Sequence, residues 1–263
     1  MVLKIVNQSK RRQRARLIWK FASFFIFGLF FLAVALIAFD RKFQVAEIAV
    51  SGASRINFQK ITEETEKILG ERKFFIFSRQ NIFLIGVDDL IRHLEKQFAA
   101  AAAINVSRDF WQRKLEIAVL EREEWAVWCR ETCFYADSSG FIFRPAPQFS
   151  GNLVFKILDY REKPVALGGR ILNEDLLSKL QNFIKIAAEK QKITINSIEI
   201  YPDSLFKLAA SGGWRIILDS QTDLELAFEN LSILIGSAIK DRLDRLDYID
   251  LRFPDKSFFK FKN

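Results

Sequence analysis

Residues 104–122 read INVSRDFWQRKLEIAVLER and contain two stretches in which apolar and polar residues alternate. In the second stretch Leu115, Ile117 and Val119 lie on one face, as they do in a strand with one buried side. The first stretch, Ile104–Asp109, alternates in the same way. The segment therefore predicts two neighbouring strands joined by a short connection.

Three predicted elements precede these strands. Phe43–Val50 is mostly alternating, as in a strand, whereas Asn57–Leu69 and Val87–Phe98 carry apolar residues at helical spacing. The order β-α-α-β-β over residues 43–121 predicts an α+β domain in which both helices pack on one face of a small sheet.

Residues 122–263 have the pattern of a second, β-rich α+β domain. One predicted helix is capped by Asn173, and another begins with the capping box Thr222-Asp-Leu-Glu225 and continues to about Lys240. The last strand, Ser257–Phe261, lies close to the end of the sequence, which predicts it at the edge of a small antiparallel sheet. The predicted strands are 125–130, 133–137, 141–143, 153–158, 193–200, 205–210, 214–218, 247–253 and 257–261.

The N-terminal part of the chain is both basic and apolar. The chain has 40 basic and 32 acidic residues. Residues 1–20 contain seven of the basic residues and none of the acidic ones, so the remaining residues are nearly balanced in charge. This balance argues against a nucleic-acid partner, which would need a basic patch on a folded domain.

Phe21–Phe39 has no charged residue, and a helix of this length spans about 28 Å, near the thickness of the hydrocarbon core of a bilayer.

These features predict residues 1–20 as a basic cytoplasmic tail and residues 21–39 as a single transmembrane helix. The positive charge before the span predicts a single-pass protein of the cell (inner) membrane, with its later domains outside the cytoplasm. A cleaved signal peptide is the alternative, because Ala33-Val34-Ala35 has the small-x-small pattern of a cleavage site. That triplet lies inside the apolar run, which favours the uncleaved anchor.

Few residues offer catalytic or metal-binding chemistry. His93 is the only histidine, and no serine or cysteine elbow accompanies it. The two cysteines and one distant histidine fall short of four zinc ligands. We therefore expect no catalytic residue, no metal, no cofactor and no small-molecule substrate.

Cys129 and Cys133 are candidates for a disulfide bond. If residues 130–132 form the loop of a hairpin, the two cysteines face each other and a bond fits. If only Glu131 and Thr132 turn, the cysteines are diagonal and fit poorly. The sequence leaves both geometries open.

Two local signatures resemble the FtsQ and DivIB family of bacterial cell-division proteins. The first is Val106-x-Arg108-x-Phe110 with Leu115-x-Ile117-x-Val119-x-Glu121-Arg122, and the second is the segment YIDLRF at Tyr248–Phe253. Together with the order of tail, anchor and two domains, the resemblance covers residues 1–263.

It implies that residues 43–121 form a POTRA domain, that residues 122–263 form a β domain with a C-terminal edge strand, and that Glu121-Arg122 marks the junction. The chain lacks the prolines that the family usually has before the first paired strand, between the strands and after Glu-Arg, so local turns there should differ.

The resemblance also implies a function. It points to a non-enzymatic, membrane-anchored scaffold of the divisome that links early and late division proteins during septum formation. The expected partners are FtsB-like and FtsL-like bitopic proteins, and the anchor would contact membrane lipid. The expected mode is strand addition to the terminal edge strand. The predicted partner-binding residues are Phe253, Asp255, Ser257, Phe258, Phe259 and Phe261.

Two other classes of function stand beside this expectation. One is a membrane-anchored envelope enzyme, and the other is a POTRA-bearing translocation or assembly component. An enzyme would need a nucleophile and a base that the sequence does not reveal. A translocation component would need a β-barrel, for which the chain has no room.

Overall fold

The computed structural model divides into two compact units between Glu121 and Arg122, the bond at which the sequence analysis places the domain boundary. The structure describes residues 19–32, 41–52, 54–70, 72–73, 77–78, 80–148, 151, 153–162 and 165–262.

The N-terminal helix α1 is described over residues 19–32, and its side chains are exposed. No helix among the described residues is long and apolar enough to cross a membrane. The predicted transmembrane helix, and with it the predicted single-pass membrane localisation, is therefore not supported. The predicted tail at residues 1–18 and the end of the predicted span at residues 33–39 lie outside the described residues.

The first unit contains a three-stranded sheet in the order β1-β5-β4, in which β5 is parallel to β1 and antiparallel to β4. Its elements in chain order are β1 (Glu47–Ser51), α2 (Phe58–Gly70), β2 (Arg72–Lys73), β3 (Phe77–Ser78), α3 (Val87–Gln97), β4 (Ala101–Asp109) and β5 (Lys114–Glu121).

The alternation of β5 decides which face of this sheet is covered. Leu115 and Ile117 are fully buried and pack in one cluster with Ile61 of α2 and Leu94 of α3. The predicted start of β4 is wrong by three residues, because the strand begins at Ala101. A run of alanines carries no alternating signal, and only the pairing with β5 shows that these residues are extended.

The second unit is a nine-stranded sheet in the order β14-β13-β12-β11-β10-β9-β6-β7-β8. Its elements in chain order are β6 (Ala126–Cys129), β7 (Cys133–Ala136), β8 (Ile142–Ala146), β9 (Lys156–Asp159), α4 (Glu174–Gln191), β10 (Ile195–Ile200), β11 (Leu205–Ala210), β12 (Arg215–Asp219), α5 (Leu224–Leu234), β13 (Leu246–Phe253) and β14 (Lys256–Phe261).

The prediction of a small antiparallel sheet is wrong, because the sheet has nine strands and is mixed. The pairs β6–β9, β9–β10 and β12–β13 are parallel. The reason is connectivity: α4 joins β9 to β10 and α5 joins β12 to β13, and parallel neighbours need such a crossover.

Both long helices pack on the same face of this sheet. Phe183 of α4 and Leu231 of α5 share a buried cluster with Ile198, Leu208 and Ile216, which are paired in register on neighbouring strands. This shared core holds α4 and α5 side by side above the sheet.

The helix caps show where local sequence rules succeed and where they fail. The predicted cap of α4 is confirmed, because Asn173 Oδ1 accepts a hydrogen bond from the Leu176 N–H at 2.7 Å. The predicted cap of α5 at Thr222 is wrong by one residue: Asp223 caps this helix, and Thr222 Oγ1 instead donates to Asp219 at 2.8 Å. An alternative polar partner nearby thus moves the start of the helix.

The end of α5 also differs from the sequence expectation. The predicted helix continues to about Lys240, but the α-helix ends at Leu234 and passes into a π-helical turn over Ile235–Ile239. A 3-10 segment, Lys240–Arg245, then leads into β13.

Candidate functional site

The β13–β14 hairpin forms one edge of the nine-stranded sheet. Phe253 and Lys256 are paired, so Pro254 and Asp255 make a two-residue turn, and the side chain of Asp255 is exposed. Proline and aspartate suit a turn because proline presets its backbone angle and aspartate tolerates tight conformations. Among the described strands, β14 has β13 as its only neighbour. All six predicted partner-binding residues lie on this hairpin.

The direction of the backbone groups of β14 follows from one hydrogen bond. The Lys262 N–H donates to the Arg245 carbonyl at 2.7 Å, on the side of β13. Because N–H groups alternate in direction along a strand, those of Ser257, Phe259 and Phe261 point away from β13. No described residue accepts a hydrogen bond from them. The edge therefore presents three donors in a row that have no partner among the described residues.

The side chains of β14 differ between the two faces of the sheet. Phe259 and Phe261 are partly buried against the core, with ring centroids 5.5 Å apart, and the Arg242 guanidinium lies 4.6 Å from the Phe261 ring. Phe258 is 51% exposed and packs edge-to-face on Phe253, itself 46% exposed, at 5.7 Å. The edge thus has one anchored aromatic pair and one pair open to solvent.

The charged groups of the hairpin are also of two kinds. The Arg252 side chain donates twice to the buried Asp250 carboxylate, at 2.9 and 2.7 Å. These hydrogen bonds raise the pKa of Arg252, although partial burial opposes them. Lys256 is exposed, and Lys260 makes only an exposed contact of 3.9 Å with Asp247, which contributes little energy. The outer strand therefore carries two lysines that remain accessible to a partner.

The opposite edge of the sheet is β8, and its backbone is arranged differently. The Val127 N–H donates to the Phe155 carbonyl at 2.9 Å, toward β9, so the next residue, Trp128, bonds toward β7 and its partner Phe134. The β8 residue opposite Phe134 is Pro145, whose backbone nitrogen therefore faces outward. Proline has no N–H, so this outward position offers no donor.

The outward backbone groups of Ile142, at the start of β8, are bonded to a loop. The Ile142 N–H donates to the Gly169 carbonyl at 2.9 Å, and the Ile142 carbonyl accepts from the Gly168 N–H at 2.8 Å. Residues 168–169 thus cover the start of β8 and Pro145 blocks its end. We call β8 the closed edge, because a loop and a proline occupy its outward positions, and β14 the open edge, because its outward N–H groups have no partner among the described residues.

Cys129 and Cys133 form a disulfide bond at the β8 end of the sheet. Their Cα atoms are 4.1 Å apart, and the two residues are directly opposite in the β6–β7 register. The loop therefore consists of residues 130–132, the first of the two geometries that the sequence leaves open. The predicted disulfide and the predicted partner-binding residues lie at opposite ends of the sheet.

Glu121 ends β5 and binds backbone groups of the first unit. Its carboxylate accepts hydrogen bonds from the N–H groups of Ser54, Arg55 and Ile56, at 2.9, 2.7 and 2.7 Å. Burial alone would raise the pKa of Glu121, but these donors outweigh it and lower the pKa to about 2. The carboxylate thus fixes the loop before α2.

Arg122 begins the second unit and binds Asp137 at the β7–β8 turn. Its Nη1 lies 2.6 Å from the Asp137 carboxylate, which also accepts hydrogen bonds from Ser139 and from the Phe141 N–H. Burial would raise the pKa of Asp137, but the hydrogen bonds and the Arg122 charge lower it. Glu121 and Arg122 therefore each stabilise a turn of their own unit, and we assign neither a chemical role.

The described residues include no group of three or more histidine, cysteine, aspartate or glutamate side chains placed to hold a metal ion. His93 is exposed on α3. One further feature is an open groove of about 1560 Å³ between α4 and α5, which the sequence does not predict. The acidic residues Glu225 and Glu229, one turn apart on α5, are a signal that could have indicated an exposed charged wall.

No protein-family model matches the chain, and no curated protein matches its sequence. The resemblance to the FtsQ and DivIB family therefore rests on the two sequence signatures and on the order of the elements.

Proposed function

We propose that the protein is a non-enzymatic scaffold that binds a partner by adding a strand from it to β14. The observation that carries the proposal is the row of outward N–H groups at Ser257, Phe259 and Phe261, which no described residue pairs. An extended segment laid beside β14 would satisfy these donors, and backbone pairing of this kind is a common mode of peptide recognition. The closed β8 edge supports the choice of β14 over the other end of the sheet.

The partner that we propose is a division protein of the FtsB-like or FtsL-like kind, bound during septum formation. This assignment comes from the resemblance in the YIDLRF segment of β13 and in the β4–β5 segment, and it makes the protein a link between early and late division proteins. The proposal concerns protein–protein binding alone and involves no cofactor, small-molecule substrate or nucleic acid.

The side chains of the edge indicate what the added strand should look like. On the helix-covered face its residues would lie beside Phe259 and Phe261 and should be apolar. On the other face they would lie beside Phe258 and the Lys256 and Lys260 ammonium groups, which favours an apolar residue flanked by acidic ones. The expected segment is therefore an alternating strand with acidic residues on one face.

The experiment places a photo-reactive amino acid at Lys260, which is exposed on β14, in the full chain within the cells that produce it. We expect a covalent adduct with a small coiled-coil division protein. The same reagent at Arg144 of β8 is the matched position on the closed edge and should give no such adduct. An adduct at Lys260 with a protein of another class would be compatible with strand addition but would overturn the proposal that the partner is a division protein.

The decisive variant is Ser257→Pro, combined with the reagent at Lys260. It removes an outward N–H without removing a bond to β13, and a disrupted register loses several pairs of about 0.5–1.5 kcal/mol each, so adduct yield should fall at least about tenfold. The control is Gln148→Pro in an exposed loop, which should leave the yield unchanged. Thermal melting of both variants checks folding. A well-folded Ser257→Pro protein with unchanged yield would overturn strand addition.

A further inference from the structure

The groove between α4 and α5 lies wholly within the second unit and has an apolar floor. Its volume is about 1560 Å³, and it is open to solvent. The apolar side chains that line it include Leu176, Phe183 and Ile186 of α4 and Phe228 and Ile233 of α5. Ile233 is 65% exposed and adjoins the other apolar side chains that line the groove.

Direct contacts between the two helices fix the separation of the walls. Phe183 and Phe228 pack edge-to-face with ring centroids 6.3 Å apart, and Gln191 Nε2 donates to Ser232 Oγ at 3.0 Å. Both helices also rest on the buried core of the sheet. The groove is therefore preformed, and an occupant would not have to open it.

The two walls carry opposite charge. Lys179, Lys190 and Asp175 line the α4 wall, so its net charge is positive, and the spacing of three helical turns places the two lysines on one face of that helix. Glu225 and Glu229, one turn apart, line the α5 wall. Among the described residues no ion pair involves Glu225 or Glu229. Lys179 makes only an exposed pair with Asp175, at 2.8 Å, which costs little to rearrange.

This distribution of charge selects the kind of occupant. A polybasic segment, such as residues 1–20 of this chain, would meet lysines of its own sign on one wall, and a polyacidic segment would meet the glutamates. A second copy of the same groove, turned by a two-fold rotation, would place its acidic wall against the basic wall of the first at both contacts. Such self-complementary surfaces are what a two-fold dimer requires.

We propose that a second copy of the chain occupies the groove, so that α5 of each copy packs against α4 of the other. The exposed apolar side chains on the groove floor and rim would then be buried between the copies. The proposal does not rest on strand addition, because the β13–β14 turn contacts a different flank of α5, where Asn230 Nδ2 donates to the Pro254 carbonyl at 3.3 Å. Dimerisation and strand addition thus use different surfaces of the second unit.

The test is a charge-swap experiment on the full chain, read by sedimentation velocity over a range of concentrations. The wild-type protein should sediment at twice the 30.6 kDa mass of the chain. The variants E225K/E229K and K179E/K190E each oppose like charges at both contacts, so each dimer should weaken at least about tenfold. An equimolar mixture of the two variants restores opposite charges at both contacts, and it should form a mixed dimer.

The matched control is E131K/E162K, which changes the charge of exposed residues outside the groove by the same amount and should leave the dimer intact. Melting curves identify any variant that fails to fold; for such a variant the single changes E229K and K190E replace the double ones. A monomeric wild-type protein would overturn the proposal. An association that neither swap weakens, as contact through the exposed α1 would give, would overturn it as well.

Discussion

The two edges of the nine-stranded sheet have similar strands but opposite properties. At β8 the outward position of Pro145 has no N–H, and the backbone of Ile142 is bonded to the loop at Gly168 and Gly169. At β14 three successive outward N–H groups have no partner among the described residues. The difference lies in the backbone rather than in hydrophobicity, because both strands carry phenylalanine. Because an unpaired edge can accept a strand from another chain, this difference is the reason that the proposed strand addition is assigned to β14 and not to β8.

The largest effect is expected from Asp137→Ala at the closed end of the sheet. The change removes a carboxylate that is paired with Arg122 and accepts three further hydrogen bonds from Ser139 and Phe141, and breaking a mostly buried pair of this kind costs about 3 kcal/mol. Urea unfolding followed by tryptophan fluorescence measures this cost, because Trp128 and Trp214 are only 3% exposed. Partner binding at β14 should persist wherever the protein remains folded. Loss of binding in the folded variant would show that the two edges are not independent.

A smaller loss of stability is expected from Cys129→Ser combined with Cys133→Ser. The disulfide closes a loop of only a few residues, so the chain-entropy model gives about 2 kcal/mol. The same urea titration measures it, with dithiothreitol treatment of the wild-type protein as the matched comparison. The account also expects unchanged adduct formation at Lys260, because the disulfide lies at the other end of the sheet. A stability change near zero would contradict the role of the bond in holding the β6–β7 hairpin.

The free energy of unfolding should depend on pH through Asp137, at the closed end of the sheet. Because the pKa of Asp137 is lowered in the folded protein, its contribution is present above the unfolded pKa of about 3.9 and is lost as the pH falls through the folded pKa. The difference in unfolding free energy between the wild-type protein and Asp137→Asn should therefore be largest near neutral pH and shrink below about pH 4. Urea titrations from pH 7 to pH 3 measure it. If the difference in unfolding free energy between the two proteins grew as the pH fell, the lowered pKa of Asp137 would be contradicted.

The smallest change in stability is expected from Pro145→Val, within about 0.5 kcal/mol of the wild-type value. The substitution gives β8 an outward N–H and a residue that favours strands, so it partly opens the closed edge. We expect faster self-association, measured by light scattering at equal protein concentration. Pro147→Val, outside the strand, is the matched control and should behave as the wild-type protein does.

The sequence predicts the elements with strong periodicity and misses features that depend on partners distant in the chain. The alternation of Leu115, Ile117 and Val119 identifies β5, because every second residue of a strand with one buried face is apolar. The parallel pairing of β12 with β13 is not encoded in either strand, since it depends on α5 crossing over the sheet. The apolar run at residues 21–39 predicts a transmembrane helix, but no helix among the described residues is long and apolar enough to cross a membrane.

The candidate edge is partly predictable for the same reason. The alternation in Ser257–Phe261 predicts a strand, and the sheet order shows that β14 has β13 as its only neighbour among the described strands. The direction of each N–H depends on the register with β13, which the hydrogen bond from Lys262 to Arg245 reveals. The protection of β8 by residues 168–169 is a tertiary contact, and no local pattern predicts it.

The most direct test of strand addition is amide hydrogen exchange on the full chain, measured by NMR before and after addition of the segment captured at Lys260. Strand addition would bond the outward amides and leave the inward ones as they were. The account predicts strong new protection at Ser257, Phe259 and Phe261, and little change at Phe258 and Lys260. Binding of the segment without new protection of the three outward amides would contradict the account.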